Sequence, residues 1–386
     1  MRDAVICAAV RTPVGKRGGG LSGVHAADLS ATVLQALVER TGLDPAVVDD
    51  VFWGCVSQVG EQTSNIGRVA ALAAGWPESV PGTTIDRQCG SSQQAVAFAA
   101  ATVVSGQADV VVAGGVESMS RVPMGSSAGD GSAGRPLGPR YLARYGGVAP
   151  NQGVGAEMIA ARWGLSRAEL DEFALRSHER AAKARADGAF DAQLVPVTTP
   201  EGAVVSADEG IRSGGTLEAL GALRTPFQAD GVISAGNASQ ISDGSAALLV
   251  TTSERAGELG LTPLVRVHTT VVAGDDPVIM LTAPIPATRK VLDRSGLALA
   301  DIGVFEVNEA FAPVPLAWCR EIGVGADLVN PLGGAIALGH PLGASGARIM
   351  TTLVHHMVAS GTRYGLQTMC EGGGMANATI LELLVH

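Results

Sequence analysis

The feature that most constrains this chain of 386 residues is that it runs through one series of elements twice. Residues 4–8 are an apolar run of strand character, and residues 29–41 repeat apolar side chains at helical spacing before stopping at Gly42. Residues 50–55 give a second strand, and residues 83–86 lead into Cys89 and a helix from about Gly90 to Gly106. Residues 109–115 close the series as a strand ending in paired glycines. The order returns late in the chain as strand 264–272, helix 287–295 stopped by Gly296, and strand 302–308. A helix opened by Gly339-His340-Pro341 then runs to about Ala359, and strand 364–370 precedes Gly372-Gly373-Gly374. Cys89 and His340 stand 251 residues apart, and the strands beginning at Val51 and Val304 stand 253 apart, so one duplicated unit accounts for both halves. Packing two such halves together brings both helix starts, and with them Cys89 and His340, to one interface.

Residues 119–239 have a different texture. Gly-, Ser- and Pro-rich stretches surround one amphipathic helix from Ser166 to Asp187, whose Ser166 and Glu169 have capping-box spacing. The segment reads as an insertion on a loop, where substrate-binding elements commonly sit. The expected division is therefore 1–264, with the insertion at about 119–239 inside it, and 265–386. The formal net charge of −10 turns away nucleic acid as the principal partner. Over residues 119–240, 12 Lys and Arg stand against 13 Asp and Glu, so an anionic small ligand meets least repulsion there. No window approaches ~18 consecutive apolar residues, and Met1-Arg2-Asp3-Ala4-Val5 reads as a strand rather than a signal peptide. The expectation is a cytoplasmic protein with no membrane partner.

The five cysteines, Cys7, Cys55, Cys89, Cys319 and Cys370, are widely spaced and form no CxxC pair. A disulfide framework or a metal site is not expected, and a special cysteine would be a free thiol. Cys7, Cys55 and Cys319 lie in apolar patterns that favour the core. Cys89, in Asp86-Arg87-Gln88-Cys89-Gly90-Ser91-Ser92, follows a strand and opens a helix, where free N–H groups and the dipole favour a thiolate. That effect is worth roughly 0.3–1 kcal/mol, or up to ~2 when partly buried, so a base must assist. On this half alone a buried structural cysteine is an equal alternative.

His340 lies in a loop with five glycines between positions 333 and 346, which let the backbone approach a ligand, so it is a candidate base for the thiol. His355 and His356, inside the following helix, read as structural. Cys370 ends a strand beside Gly372-Gly373-Gly374, where a second thiol could exchange a proton and free N–H groups could stabilise a negative oxygen. Asn308, in Asn308-Glu309-Ala310-Phe311, supplies an amide able to orient a water.

Together these four segments resemble the thiolase family, in order and separation, over essentially the whole chain. The resemblance implies an α/β fold of thiolase type, five-layered α-β-α-β-α, with two duplicated domains and an inserted loop domain. It implies that Cys89 carries an acyl group, His340 activates it, and Cys370 exchanges a proton with the second thioester. His340 and a water held by Asn308 would form one oxyanion hole, and the N–H groups of Cys89 and Gly372 the other. Arg212 and Ser239 stand at positions that contact coenzyme A, with Met280 and Phe311 lining the acyl tunnel. Arg212 as an ordinary surface residue stays open. Coenzyme A would be a substrate, with no cofactor or metal held permanently, and the partners would be acyl-CoA, CoA and copies of the chain in a homodimer or homotetramer.

The implied reaction is thiolytic cleavage of a 3-oxoacyl-CoA, reversible as a Claisen condensation. Ser92, Gln93 and Gln94 after Cys89, and Asn151-Gln152-Gly153, depart from the commonest family pattern at positions expected to bear on the acyl pocket. They weigh against a strict preference for acetoacetyl-CoA, and the pattern resembles actinobacterial degradative thiolases, some of which act on steroid-derived substrates. The rivals are a carrier-protein-dependent condensing enzyme, a cysteine hydrolase built on Cys89, His340 and Asn308, and a catalytically silent thiolase-like binding subunit. Cys370 speaks against the first of these.

Overall fold

The computed structural model describes residues 2–384. Met1, which the sequence reading placed in the first strand, lies outside the described residues, as do Val385 and His386 at the end of the second division. Nine strands build the large sheet: Val5–Arg11 (β1), Asp50–Gly54 (β2), Thr83–Ile85 (β3), Val110–Ser118 (β4), Ser242–Thr251 (β5), Val265–Gly274 (β6), Val304–Val307 (β7), Tyr364–Glu371 (β8) and Met375–Leu383 (β9). A two-residue strand, Gly15–Lys16, pairs with β5. The spatial order is β7-β8-β9-β6-β1-β5-β4-β2-β3.

The order is the duplication made visible. In the first half β2 pairs parallel with β3 and β4, then β4, β5 and β1 follow antiparallel. In the second half β7 pairs parallel with β8, then β8, β9 and β6 follow antiparallel. Val329 bridges Phe305 of β7 in parallel, where β3 flanks β2 in the first half. The halves join where Val5 and Ile6 of β1 pair with Arg266 and Val265 of β6.

Helices fill three layers. Ala26–Thr41 (α1) and Ile66–Ala73 (α2) cover the outer face of the first half; Ser91–Ser105 (α3) lies between the halves. Gln152–Arg162 (α4) and Arg167–Ala186 (α5) belong to the segment between β4 and β5. Pro284–Ser295 (α6) and Pro313–Ile322 (α7) cover the outer face of the second half, and Leu342–Ser360 (α8) lies beside α3 in the centre. The result is an α-β-α-β-α sandwich. The strand period of two sets the layers: Val110 and Val112 of β4 join the outer core with Leu29, Leu34 and Leu37, while Val111 and Ala113 face inward with Val96, Met350 and Leu353. Burial on both faces explains why such strands are continuously apolar. Each fully buried Val or Leu is worth about 1.5–3 kcal/mol.

The two central helices approach closely at glycines. A Cβ on Gly346 would lie 2.7 Å from the Gln93 Cβ. Nearby, the Ala347 N–H donates to Ser92 Oγ at 2.8 Å, Gln93 Nε2 donates to Thr379 Oγ1 at 3.0 Å, and Gln367 Nε2 donates to Gln93 Oε1 at 3.0 Å. Ser92 and Gln93 therefore brace the helix and sheet interior, which corrects the expectation that they bear on the acyl pocket.

Three further differences have physical causes. Strands β5 and β9 have no counterpart in the sequence reading because polar residues interrupt them. Ser245 and Asn377 are buried there, held by bonds from Ser245 Oγ to the Gly115 carbonyl at 2.9 Å and from Asn377 Nδ2 to the Gly90 carbonyl at 3.1 Å. Cys319 is half-buried on α7 rather than in the core, whereas Cys7 and Cys55 are buried as expected. The last long helix starts at Leu342, with Pro341 at its cap, so His340 precedes the helix instead of opening it.

Candidate active site

Cys89 sits in a tight turn between β3 and α3. The Asp86 carboxylate accepts the Gln88 N–H at 2.7 Å and fixes Gln88 at a φ of 49°, a left-handed conformation uncommon for a side-chain-bearing residue. Ser91 Oγ accepts from the Arg87 N–H at 2.9 Å and donates to the Gln88 carbonyl at 2.6 Å, which locks the other side of the turn. Gly90 lies tight against the second half: a Cβ there would meet the carboxylate of Glu371 of β8 and the Asn377 amide. The Cys89 turn is thus pressed against the end of the second half's sheet.

The structure brings Cys89, Cys370 and Gly372 together. Burial and then the nearby Glu371 carboxylate push the Cys89 thiol up to about 12, against the opposing pull of its own N–H and that of Gly372. Burial pushes the Cys370 thiol up as well, and Cys89 is the next contributor. Around the pair, Cys89 packs with Met119, Leu342, Ile349 and Met369.

His340 is buried, and its Nδ1 lies 2.6 Å from Ser345 Oγ. Ser345 Oγ donates its only hydrogen to the Pro341 carbonyl at 2.9 Å, so Nδ1 must be the donor toward Ser345. Nε2 is then a bare acceptor, and it has no partner among the described residues. Burial, and after it the Arg348 cation, push the imidazole down to about 3, which keeps it neutral. Leu342, two residues on, lines the same cavity as Cys89. Asn308 is held by its N–H to the Thr368 carbonyl at 3.1 Å, and both ends of its buried amide are unpaired. A buried amide with neither end satisfied is uncommon outside a functional site.

Glu309, quoted above only as part of a motif, positions the glycine loop. It accepts from Ser177 Oγ of α5 at 2.7 Å, Asn330 Nδ2 at 2.9 Å and the Ile336 N–H at 3.1 Å. This ties the inserted segment to the loop that carries His340.

A cleft of about 640 Å³ holds Lys16, Arg17, Arg212, Ser239 and Gln240. Arg212 is exposed, and its N–H donates to His178 Nδ1 at 3.1 Å. Ser239 donates its N–H to the Ala310 carbonyl at 2.9 Å, and Ala238 bridges Phe311, so this cleft borders the strand end that carries Asn308. Met280 and Phe311 share an apolar cluster with Cys370. Met280 adopts a φ of 62°, and Phe311 meets Phe227 edge-on at 6.1 Å. A second cavity of about 250 Å³ opens at Cys89 and is lined by Asp86, Gln88 and Gln152 among others. Gln152, which the sequence reading expected to bear on the acyl pocket, lines the same cavity as Cys89. Lys16 and Arg17 were missed, because two cations in a glycine-rich loop look like ordinary solvated charge.

Two buried thiols and a buried, neutral histidine thus lie in the region between the duplicated halves, beside a cation-lined cleft. Residues 4–254 match the thiolase N-terminal domain family and residues 261–383 the thiolase C-terminal domain family. The chain is 50% identical to the steroid 3-ketoacyl-CoA thiolase FadA6 of Mycobacterium tuberculosis over 389 residues, covering 100% of this chain and 95% of that protein. It is 45% identical to the 3-oxoadipyl-CoA/3-oxo-5,6-dehydrosuberyl-CoA thiolase of Escherichia coli K12, covering 99% and 100%. The crystal structure of the Bacillus anthracis acetyl-CoA acetyltransferase superposes with a TM-score of 0.92 at 40% identity, covering 100% of this chain and 99% of that one. The chain belongs to the thiolase family, and it is an enzyme of acyl transfer to and from coenzyme A.

Proposed function

We propose that this thiolase cleaves 3-oxoacyl-CoA with Cys89 as nucleophile, His340 as its base, and Cys370 as the acid and base for the departing or entering acetyl unit. The observation that carries this reading is that both thiols are buried at the junction of the halves, near enough for Cys89 to raise Cys370. One thiol can hold the acyl group while the other moves a proton. At rest the pair is a thiol and a neutral imidazole. The Cys89 proton passes to His340 Nε2 as sulfur bonds to the C3 carbonyl carbon. The C2–C3 bond then breaks, and the enolate of acetyl-CoA takes a proton from Cys370. A CoA thiol next attacks acyl-Cys89 and passes its proton to the Cys370 thiolate; the Cys89–acyl bond breaks, Cys89 takes its proton back from His340, and the shortened acyl-CoA leaves. Negative oxygens are met by the N–H groups of Cys89 and Gly372 on one side, and by His340 with an Asn308-held water on the other. Loss of one such donor costs roughly 2.7–4 kcal/mol.

Coenzyme A would lie in the cation-lined cleft, its phosphates toward Arg212 and its pantetheine arm past Ser239, with Met280 and Phe311 walling the acyl path. The names of the relatives favour a degradative 3-oxoacyl-CoA, steroid-derived or dicarboxylic. The division at residues 264/265 follows the junction between β5 and β6. Among the described residues the outer edge of β3 pairs with no strand, which supports assembly of copies through that edge. Among the described residues no helix is long and apolar enough to cross a membrane, and no cluster of three or more His, Cys, Asp or Glu could hold a metal. We place the enzyme in the cytoplasm, with CoA as substrate.

The test is intact-mass analysis with acetyl-CoA. Wild type should gain one acetyl group on Cys89, and Cys89→Ala none. His340→Ala should slow acylation, and unchanged Cys89 alkylation across pH in that variant would remove its role as base. Free acid formed without CoA would instead mark a hydrolase.

A further inference from the structure

Helix α8 carries a polar stripe as well as its apolar face. Met350, Leu353 and Val354 pack into the central core, while Ser345, Arg348 and Thr352, at i, i+3 and i+7, share another side of the helix. Ser345 holds the His340 ring. Thr352 Oγ1 donates at 2.8 Å to Gln193 Oε1, which also accepts Arg11 Nε at 2.7 Å. Arg348 lies between these two anchored turns and is only 2% exposed. Among the described residues, none of its three guanidinium nitrogens has a hydrogen-bond partner. Buried arginines are ordinarily paired, so a buried one without partners calls for a reason.

The carboxyl groups around Arg348 are committed elsewhere or neutral. Asp208 takes Arg11 at 2.7 and 2.9 Å and also accepts the Val14 N–H at 2.8 Å. Glu309 is spent on Ser177, Asn330 and the Ile336 N–H. Glu306 remains. Val304 of β7 faces the central core and Phe305 the outer one, so Glu306 points inward toward α8, two residues before Asn308. Its Oε1 is buried with no partner among the described residues. Burial pushes its carboxyl up to about 8, with the Arg348 cation opposing, so it is mostly neutral at pH 7. Arg180 of α5, the other cation acting on Glu306, is held by the Val329 carbonyl at 2.6 Å. Burial, and after it the Arg11 cation, push Arg348 down only to about 10, so it stays charged. A cation without a counter-ion thus stands close enough to His340 to act on its imidazole.

Resting on the acyl-transfer reading above, we propose that Arg348 is a positioning residue whose uncompensated charge favours the negative oxygen met by His340 and Asn308, and that Glu306 is kept neutral so as not to cancel it. Negative charge reaches that oxygen only as bonds form and break, whereas the cation is in place beforehand. In a low-dielectric interior it acts without touching the substrate. The same charge disfavours the imidazolium, so His340 holds the Cys89 proton only in passing and returns to the form with a bare Nε2.

The experiment measures kcat and KM for thiolysis of 3-oxohexanoyl-CoA at pH 7, with melting temperatures. Arg348→Met, close in volume and uncharged, should lower kcat about tenfold, less than the roughly 10²–10³-fold expected for a donor that touches the oxygen. Its KM for CoA should not change. Its melting temperature should not fall, because replacing a buried charge by an apolar side chain is often neutral or stabilising. Arg348→Gln, uncharged but polar, should lose as much kcat, which keeps the test decisive where methionine is not tolerated. Arg348→Lys should recover most of the loss despite packing less well, and Glu306→Gln should match wild type. Wild-type kcat in both uncharged Arg348 variants overturns the proposal. So does Arg348→Lys no faster than those variants, or Glu306→Gln as slow as they are. Failure of wild type to acylate Cys89 or to cleave the substrate overturns the acyl-transfer reading instead, so the two failures are distinct.

Discussion

The two halves place different chemistry at the same point of the same topology. The register pairs Val51 with Val112 in the first half and Val304 with Gly365 in the second, and five residues further along stand Glu117 and Cys370. Each reaches the helix start of the opposite half. Glu117 accepts from the N–H of Gly343, which opens α8, at 2.8 Å, and also from the Val56 and Ser57 N–H groups and Gln62 Nε2 at 2.9, 3.0 and 2.8 Å. Cys370 is buried near Cys89, which leads into α3, and packs in an apolar cluster with Met280 and Phe311. A carboxylate with four donors is a rivet; a thiol with no committed partner can act on a substrate. The duplication thus supplied two equivalent contacts, one spent on holding the halves together and one left for chemistry.

The largest effect should come from Cys370→Ala. Loss of a positioned acid and base typically costs about 10²–10⁴-fold, so thiolysis and condensation should fall by that range while Cys89 still acylates and the melting temperature holds. Normal carbon–carbon turnover in this variant would break the comparison. Glu117→Ala should do the reverse. It strands three backbone N–H groups and an amide, each costing about 1–3 kcal/mol when buried and unpaired, so unfolding free energy should drop by at least about 3 kcal/mol. Chemical denaturation would measure this, and a Glu117→Ala protein as stable as wild type would end the rivet reading.

Ser345→Ala sharpens the comparison on the α8 side. Removing the hydroxyl leaves His340 Nδ1 without its acceptor, so nothing fixes the tautomer that presents a bare Nε2. A lost hydrogen bond of about 1.4 kcal/mol corresponds to about tenfold slower Cys89 acylation. Stopped-flow acylation would detect it, and an unaltered rate would mean that packing alone orients the imidazole.

Most of the layered fold was legible in the sequence because duplicated apolar strands and glycine-stopped helices recur at nearly constant separation. What escaped was strand content carried by buried polar residues. Strand β5 begins Ser242, Asp243, Gly244, Ser245, a string that reads as a turn, yet neighbouring strands pair it and the Ser120 N–H donates to Asp243 Oδ1 at 2.8 Å. Cys89, His340 and Cys370 stood out through their glycine settings. Glu117 did not, although a lone acid ending the apolar run of β4 was the available signal. Ser345 was hidden for another reason. Its role depends on which proton it spends, and only the carbonyl of Pro341 one turn back reveals that.

The smallest effect concerns Glu371, one residue beyond Cys370. Among the described residues neither of its buried carboxylate oxygens has a hydrogen-bond partner, and burial pushes its carboxyl up to about 8, with the Arg87 cation opposing. The native state therefore keeps this proton at pH values where an unfolded carboxyl, ionising near 4.5, has lost it. The native state binds the extra proton, so this group's contribution to stability is full below about 4.5 and declines as pH rises to about 8. Glu371→Gln should abolish that slope, with melting temperatures of the two proteins diverging by about 2–4 °C between pH 5 and pH 8. The same substitution removes the charge that raises the Cys89 thiol, so alkylation of Cys89 above pH 8 should be faster in Glu371→Gln than in wild type. Parallel melting curves with equal alkylation rates would mean that Glu371 finds a partner in solution, and that the second half carries a rivet of its own beside the reactive thiol.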